Sequence, residues 1–267
     1  MFYREFNRSL IKAAICLLLI IHAVCASAAL CASGSKDSEI LVSAAISLKN
    51  AFEEIGSVYA KRTGIKVRFN LGASGLLQRQ IESGAPVDVF ASAGEKQMDE
   101  LQARGLIQVE TRRDFARNTL VLIIPSGSKL RIHAFADLAS PEVARIAVGN
   151  PKTVPAGQYA REALSNLNLW DRLQSRLVMA ENVRQVLDYV VRGETEAGFV
   201  YASDVPAAHG GAAIAAAAPD NSHRPILYPI AVVKAASAQT NARRFIDMVL
   251  SPEGQSVLKK HGFSGAQ

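Results

Sequence analysis

From residue 40 onward, short apolar runs alternate with segments whose apolar residues recur at helical spacing. Residues 40–45 form the first run, which is typical of a buried strand. Phe52, Ile55 and Tyr59 then share one helical face, and Gly64 follows where that helix is expected to end. The alternation continues with strands predicted at 66–71 and 87–91 and helices predicted through 81 and over 95–104. Strands alternating with helices predict an α/β fold with mainly parallel sheets.

A second set of elements begins at the apolar run 120–124. Helices are predicted at 135–138, 157–167 and 183–191, and strands at 145–148 and 197–201. The run 226–233 returns the chain to the first set, which helices at 241–250 and 252–261 complete. We therefore predict two lobes, the first formed by residues 29–119 and 230–267 and the second by residues 120–229. Segment 210–218 is rich in Ala and Gly and fits a helix or a loop followed by a strand equally well.

The first 28 residues have the pattern of an export signal. Arg4, Arg8 and Lys12 precede the apolar run 13–24, and Ala26-Ser27-Ala28 supplies a small-x-small cleavage pattern. A permanent membrane anchor is the alternative, but the run is too short to span a bilayer. We expect a signal peptide over residues 1–28 and a soluble mature protein in the periplasm.

The three cysteines do not predict a disulfide. Cys16 and Cys25 lie in the expected signal peptide, which leaves Cys31 alone in the mature chain. Val24 and Leu30 precede Cys25 and Cys31, where lipoprotein signals have a small residue. We therefore expect no lipid anchor.

The charge of the chain does not indicate a nucleic-acid partner. Loss of residues 1–28 would remove three basic residues and one acidic residue, so the formal net charge falls from +6 to +4. The remaining charges are mixed, without a basic cluster interleaved with aromatic residues. We expect a small-molecule ligand and no nucleic acid.

Four turns lie where a predicted strand or loop leads into a helix. Two carry serines, Ser47 and Ser74, and the other two are Val154-Pro155-Ala156-Gly157 and Ala180-Glu181-Asn182-Val183. Free N–H groups at helix N-termini bind anions without a cation. Ligands of two-lobed α/β proteins bind at the carboxyl ends of strands, in the cleft between lobes that close about the crossing strands. The turns therefore predict an oxyanion site in that cleft.

Each of these residues also has an ordinary structural interpretation. Ser47 and Ser74 stand where serine commonly acts only as an N-cap, and Tyr201 fits the end of a core strand. Arg79, Arg161 and Arg184 lie near the turns and could neutralise an anion, but we expect them to be solvated.

Catalysis is the main alternative from another class. Ser74 offers a nucleophile for a serine-dependent hydrolase, but Gly72-Ala73-Ser74-Gly75 lacks the Gly-x-Ser-x-Gly spacing. The mature histidines His133, His209, His223 and His261 show no pairing that predicts a triad. No Cys/His metal spacing or phosphate loop occurs. We expect a binding protein rather than an enzyme.

Four motifs occur in order along the chain. They are Ala-Ala-x-Ser-Leu at 44–48, Gly-Ala-Pro-x-Asp-x-Phe at 84–90, Val-Pro-Ala-Gly at 154–157 and Val-Tyr-x-Ser-Asp at 200–204. Together they resemble the periplasmic molybdate-binding proteins, the substrate-binding subunits of ATP-driven molybdate importers. This resemblance covers residues 39–263. It implies the type II periplasmic-binding-protein fold, with two lobes of mainly parallel sheets flanked by helices and two crossing hinge strands.

The resemblance also implies the ligand contacts. By position they fall on Ser47, Ser74, Ala156, Val183 and Tyr201. The serines would act through hydroxyl and N–H groups, Ala156 and Val183 through N–H alone, and Tyr201 through its phenol. Two departures are Ser74-Gly75-Leu76, where the family often has more Ser or Thr, and Asn150 in place of an Asp. The first leaves the donor set around Ser74 open.

The resemblance implies high-affinity binding of molybdate or tungstate outside the cytoplasm and delivery to an ABC permease at the inner membrane. Molybdenum would enter only as the oxyanion, with no separate cofactor, and the protein would act as a monomer. A receptor for sulfate or thiosulfate is the alternative within this class. A ferric-iron receptor is disfavoured, because Tyr201 alone of the usual iron ligands reaches the inferred site.

Overall fold

The computed structural model describes residues 38–219 and 221–266. The predicted signal peptide and the three cysteines lie outside these residues. The described chain contains ten strands and eight α-helices, together with short 3₁₀ turns. The strands are β1 Glu39–Ala45, β2 Lys66–Gly72, β3 Val89–Ala91, β4 Arg113–Arg117, β5 Leu120–Pro125, β6 Ile146–Gly149, β7 Leu177–Ala180, β8 Ala197–Tyr201, β9 Ala212–Ala217 and β10 Leu227–Val232. The helices are α1 Lys49–Thr63, α2 Ser74–Glu82, α3 Glu95–Ala103, α4 Pro155–Asn166, α5 Trp170–Leu173, α6 Val183–Val191, α7 Gln239–Leu250 and α8 Pro252–Lys260.

The first sheet has the strand order β2-β1-β3-β10-β4. β1 and β3 are parallel, with Val42 opposite Val89. β10 runs antiparallel to both β3 and β4, since it belongs to the segment that returns from the second sheet. We call this sheet, with α1, α2, α3, α7 and α8, the first lobe.

The second sheet has the strand order β7-β6-β8-β5-β9. β6 lies parallel to β7 and β8, whereas β5 lies antiparallel to β8 and β9. We call this sheet, with α4, α5 and α6, the second lobe. Both sheets are therefore mixed and do not follow the mainly parallel order expected from the sequence, because the strands next to the crossings run against their neighbours.

The chain crosses between the sheets twice, from β4 to β5 and from β9 to β10. The crossings are joined by a hydrogen bond of 3.3 Å from the N–H of Asn118 to the carbonyl of Ile226. The predicted α/β fold with two lobes and two crossings is thus confirmed. β10, Leu227–Val232, lies within the returning run predicted at 226–233, and the lobe boundaries themselves stay a prediction.

Several elements differ from the sequence expectations. β4 is not predicted, because only Phe115 and Ala116 of its five residues are buried and its polar ends hide the pattern. β7 and α5 are not predicted either, since each has four residues of which one is buried. The open choice at 210–218 is settled in favour of a strand, β9, which forms an edge of the second sheet.

The helix faces bury as the apolar spacing predicts. Phe52, Ile55 and Tyr59 of α1 are buried, and Phe52 meets Phe245 of α7 edge to face at 5.9 Å between ring centroids. Such a pair adds about 0.5–1.5 kcal/mol to the burial of its rings. α1 ends at Gly64, whose φ of 74° is the left-handed conformation that glycine adopts without strain. In the described chain, no helix combines the length and apolar character needed to cross a membrane.

Candidate functional site

The five predicted site residues line one cavity where the two lobes meet. The complete lining is Ala45, Ile46, Ser47, Gly72, Ala73, Ser74, Ala93, Val154, Pro155, Ala156, Val183 and Tyr201. Ser47 and Ser74 come from the first lobe, and Ala156, Val183 and Tyr201 come from the second. The topology causes this meeting, because each residue lies at or just beyond the carboxyl end of a strand or at the start of a helix.

Four of the five residues lie in the first turn of a helix. Ser47 is the second residue of the 3₁₀ turn Ile46–Leu48, Ser74 and Val183 begin α2 and α6, and Ala156 follows Pro155 at the start of α4. N–H groups in a first turn have no partner within their own helix. They also carry the partial positive charge of the helix dipole. Four backbone donors of positive potential are therefore available around one small space.

The two serines do not act as N-caps. Neither makes a cap hydrogen bond, and the residues at the cap positions are Ala45 and Ala73. The Ser74 hydroxyl oxygen instead accepts a hydrogen bond of 3.0 Å from the N–H of Ala93. Since this bond uses a lone pair of the oxygen, the hydroxyl proton of Ser74 stays available to a ligand.

The Ser47 hydroxyl has a directional partner behind it. Its oxygen lies 3.1 Å from the hydroxyl oxygen of Tyr228, which also accepts a bond of 3.2 Å from the Asn118 side-chain amide. The amide nitrogen can only donate, so the Tyr228 proton is free to point at Ser47. With the Tyr228 proton directed at Ser47, the Ser47 oxygen accepts from Tyr228 and its own proton can be donated into the cavity.

Tyr201 supplies a phenol that stays protonated. The ring is buried, and burial together with the neighbouring Tyr228 raises its pKa well above the usual value. Its hydroxyl donates to the carbonyl of Ala93 at 2.9 Å, across the lobes. A phenol of raised pKa stays protonated at physiological pH, and here its one proton is donated to Ala93. Tyr201 would donate to a ligand without adding charge once its O–H turns away from that carbonyl.

No charged side chain belongs to the cavity lining in the part of the chain that the structure describes. Arg79 and Arg161 are exposed, as expected, and the Arg161 guanidinium lies 5.6 Å from the centre of the Trp170 ring. The expectation that Arg184 is solvated is wrong: its side chain is 19% exposed and its Nε lies 2.8 Å from Oδ1 of the buried Asp204. Arg184 is therefore committed to an ion pair behind the site.

Among the residues described by the structure, the cavity lining contains no nucleophile paired with a base. The hydroxyls of Ser47 and Ser74 contact Tyr228 and Ala93, respectively. His261, the histidine with a carboxylate partner among the described residues, is bonded to Glu54 at 2.8 Å, away from both serines. The site thus offers hydrogen-bond donors and can surround an anion, which is the chemistry of a receptor.

A family model described as bacterial extracellular solute-binding protein matches residues 40–264. The chain belongs to this family. Molybdate-binding protein ModA of Escherichia coli is 38% identical to this solute-binding protein over 232 residues, which cover 85% of this chain and 90% of the relative. YvgL of Bacillus subtilis is 35% identical, and the match covers 96% of this chain and 97% of YvgL. YvgL is named as a candidate ABC transporter substrate-binding lipoprotein.

Solved structures confirm the predicted periplasmic-binding-protein fold. The periplasmic molybdate-binding protein of Azotobacter vinelandii matches this solute-binding protein with a TM-score of 0.77 at 28% identity. The match covers 85% of this chain and 100% of the Azotobacter chain. The resemblance to molybdate-binding proteins drawn from the four motifs is confirmed by these relatives. The assignment of individual ligand contacts stays a prediction.

Three residues important to the site geometry are missing from the sequence prediction. Ala93 lines the cavity and its peptide groups bond both Ser74 and Tyr201, while Tyr228 and Asn118 orient Ser47. Ala93 follows β3 at a strand end, which is a signal that could have identified it. Tyr228 lies inside an apolar run and Asn118 in a crossing, so nothing in their local sequence marks them.

Asp204 of the solute-binding protein is a buried carboxyl directly behind Tyr201. Its Oδ2 accepts the Tyr201 N–H at 3.2 Å, and its Oδ1 faces Arg184. Burial raises the pKa of Asp204 to about 6, against the opposing influence of Arg184 and the Tyr201 N–H. Asp204 therefore fixes the end of β8 and positions Tyr201 while it titrates in the mildly acidic range.

This raised pKa predicts a pH-dependent stability. Since the pKa rises on folding from its usual 3.8, the contribution of Asp204 is fully present below about pH 4 and is lost as the pH rises through about 6. The shift corresponds to about 3 kcal/mol. We expect the free energy of unfolding of the wild type, relative to that of Asp204→Asn, to fall by about this amount between about pH 4 and pH 7. Urea unfolding of both proteins across this range measures the difference, and a constant difference would contradict the prediction.

Proposed function

We propose that this protein binds molybdate or tungstate in the cavity between its lobes and delivers the oxyanion to an ABC permease. The observation that carries this proposal is that Ser47, Ser74, Ala156, Val183 and Tyr201 surround one space from both lobes without a charged side chain. The names of the E. coli and Azotobacter relatives, which are molybdate-binding proteins, support the choice of ligand.

Neutral donors are sufficient for a dianion because they are numerous and oriented. A buried unpaired charge costs tens of kcal/mol on an idealised estimate, so the cavity must replace the whole hydration shell. The four helix starts each contribute N–H groups at a positive helix end, and the two serine hydroxyls add side-chain donors. The Tyr201 phenol adds a further donor once its O–H turns from the Ala93 carbonyl to the ligand. Each hydrogen bond to a charged group contributes about 1.5–3 kcal/mol.

The same donors select among anions. The Ser74 oxygen already accepts the Ala93 N–H behind the cavity, the Ser47 oxygen faces the Tyr228 hydroxyl, and the N–H groups at the helix starts cannot accept a hydrogen bond. A protonated oxyanion such as hydrogen phosphate would place an O–H group where it finds no acceptor, and an unpaired buried donor is costly. Fully deprotonated molybdate, tungstate and sulfate avoid this cost. Cavity size then separates sulfate from the larger metal oxyanions.

We further propose that residues 1–28 export the protein and that it acts in the periplasm as a monomer, with the oxyanion as its ligand. Closure brings donors of both lobes onto one ligand, so binding favours the closed form. The closed form is then the species that docks on the permease at the inner membrane.

Titration calorimetry of the purified protein with molybdate, tungstate, sulfate and phosphate tests the proposal. We expect tight binding of molybdate and tungstate, weaker binding of sulfate and none of phosphate. Stronger binding of sulfate than of molybdate would favour a sulfate receptor. An equal response to all four anions would contradict selection by size and protonation, and turnover of acyl or phosphoryl esters would contradict a receptor.

The hydrogen bond between the hydroxyls of Tyr228 and Ser47 predicts a moderate change in ligand affinity. Tyr228→Phe removes the hydroxyl that orients Ser47 and leaves the ring packing against Phe115 and Phe263 in place. Loss of one neutral hydrogen bond costs about 0.5–1.5 kcal/mol, so we expect molybdate affinity to fall by about two- to tenfold. Calorimetry measures the change. Tyr189→Phe, near the end of α6 and outside the cavity lining, serves as a control, and equal affinities of the two variants would remove Tyr228 from the proposed role.

A further inference from the structure

The lobes contact each other directly beside the cavity. The N–H of Gly75, in the first turn of α2, donates to the carbonyl of Thr153 at 2.9 Å. Gly75 belongs to the first lobe, whereas Thr153 lies just before α4 of the second lobe. This bond therefore joins the starts of two helices whose N–H groups, at Ser74 and Ala156, face the same space.

The contact depends on the absence of a side chain. A Cβ atom built on Gly75 would lie 2.7 Å from the carbonyl oxygen of Thr153 and 2.8 Å from its Cα. Both atoms are backbone, so a rotamer change cannot relieve the overlap. The φ angle of Gly75 is not in the left-handed range, so left-handed strain gives no reason for glycine here. Close approach of the second lobe is the remaining reason.

A second glycine of the first lobe lies against the same segment. A Cβ atom on Gly94 would lie 3.2 Å from Cβ of Pro155 and 3.3 Å from the Tyr159 hydroxyl. Gly94 has extended backbone with φ of −176°, which any residue can adopt. Two glycines from different elements thus meet the beginning of α4, and both leave room for it.

We propose that Gly75 is a positioning residue that sets the closed distance between α2 and α4, and with it the size of the anion cavity. The inference rests on the proposed function for its ligand but concerns a residue outside the predicted donor set. Backbone-to-backbone contact at Gly75 stops the approach of the lobes at one separation. The donors at Ser74 and Ala156 are then held at a fixed spacing, which is the requirement for discrimination by size.

A methyl group at this position acts on closure and not on folding. Alanine suits a helix at least as well as glycine, and an open arrangement of the lobes relieves the overlap with Thr153. A steric cost confined to the closed form reduces the affinity of any ligand that needs this form. The steric cost of such overpacking is large enough to lower molybdate affinity by at least about tenfold.

The test compares Gly75→Ala with Gly265→Ala, a matched control where an added Cβ meets nothing within 4 Å. Calorimetry gives the molybdate affinity, small-angle scattering gives the compaction on binding, and urea gives the free energy of unfolding without ligand. We expect Gly75→Ala alone to bind at least about tenfold more weakly and to compact less, with unfolding unchanged. Affinity and compaction equal to those of the control would overturn the inference, as would an affinity loss fully matched by a loss of stability.

A readout without ligand separates the two proposals. Spin labels at Lys96 in α3 and Arg161 in α4 report the lobe separation, because both residues line one surface pocket from opposite lobes. If the wild type binds none of the anions, the proposed function fails while the label distances still decide the inference. A short-distance population in the wild type that is missing in Gly75→Ala supports it, and identical distance distributions overturn it.

Discussion

Ser74→Asp is expected to abolish molybdate binding. The new carboxylate would stand at the cavity wall, where Ser74 begins α2. Two unit charges at 4 Å repel by about 4 kcal/mol at an effective dielectric constant near 20, and the ligand carries two charges. We expect an affinity loss of at least about a thousandfold by titration calorimetry. The fold should persist, because a carboxylate at a helix N-terminus is favourable and can accept the Ala93 N–H in place of the hydroxyl.

Ser74→Asn is the matched control for this prediction. It has the size of aspartate and keeps the backbone N–H, but it adds no charge. We expect it to weaken binding measurably while leaving a titratable affinity far above that of Ser74→Asp. If the aspartate and asparagine variants bind molybdate equally, residue 74 lies outside the anion site.

Val183→Pro is expected to weaken molybdate binding by about ten- to a hundredfold, the cost of one hydrogen bond to a charged group. Proline removes the N–H of the first residue of α6, a position where proline is well tolerated. Asn182 before it has φ of −160° and ψ of 171°, an extended conformation compatible with a following proline. The substitution therefore deletes a backbone donor while the helix start is kept.

Val183→Ala separates the backbone from the side chain. It shortens a buried side chain, which is 3% exposed, but keeps the N–H. We expect a loss of stability in urea unfolding with affinity near that of the wild type. Should the proline and alanine variants show the same affinity, the Val183 N–H makes no contact with the ligand.

The helix starts could be predicted from the sequence because their signals are local. α6 and β8 have the predicted bounds, and Pro155 marks the first turn of α4. The meeting of the five residues follows from strand-end topology once two α/β lobes are inferred. Local signals, together with the motifs that carried the resemblance, are therefore sufficient to predict the five site residues that line the cavity.

The partners behind the cavity could not be predicted, because they are distant in sequence. Ser47 meets Tyr228 across 181 positions, and Tyr201 meets Ala93 across 108. Each pairing depends on sheet order, which the hydrophobic pattern leaves open. Arg184 shows the same difficulty: its position near a helix start predicts exposure, and the buried Asp204 opposite it becomes visible only in three dimensions.

The apolar character of Ala156 and Val183 has a consequence for how such a receptor tolerates mutation. Both residues line the cavity, but the groups that the proposed function assigns to the anion belong to the peptide bond. Most substitutions at these two positions would alter packing and leave the donor intact. The amino acids that decide whether the donor points inward are those that begin the helix, such as Asn182, whose side chain accepts the N–H of Gln185 at 3.0 Å. Mutational scanning should therefore find that most changes at Ala156 and Val183 act through packing and stability, whereas changes at the residue that begins the helix, such as Asn182, act on affinity.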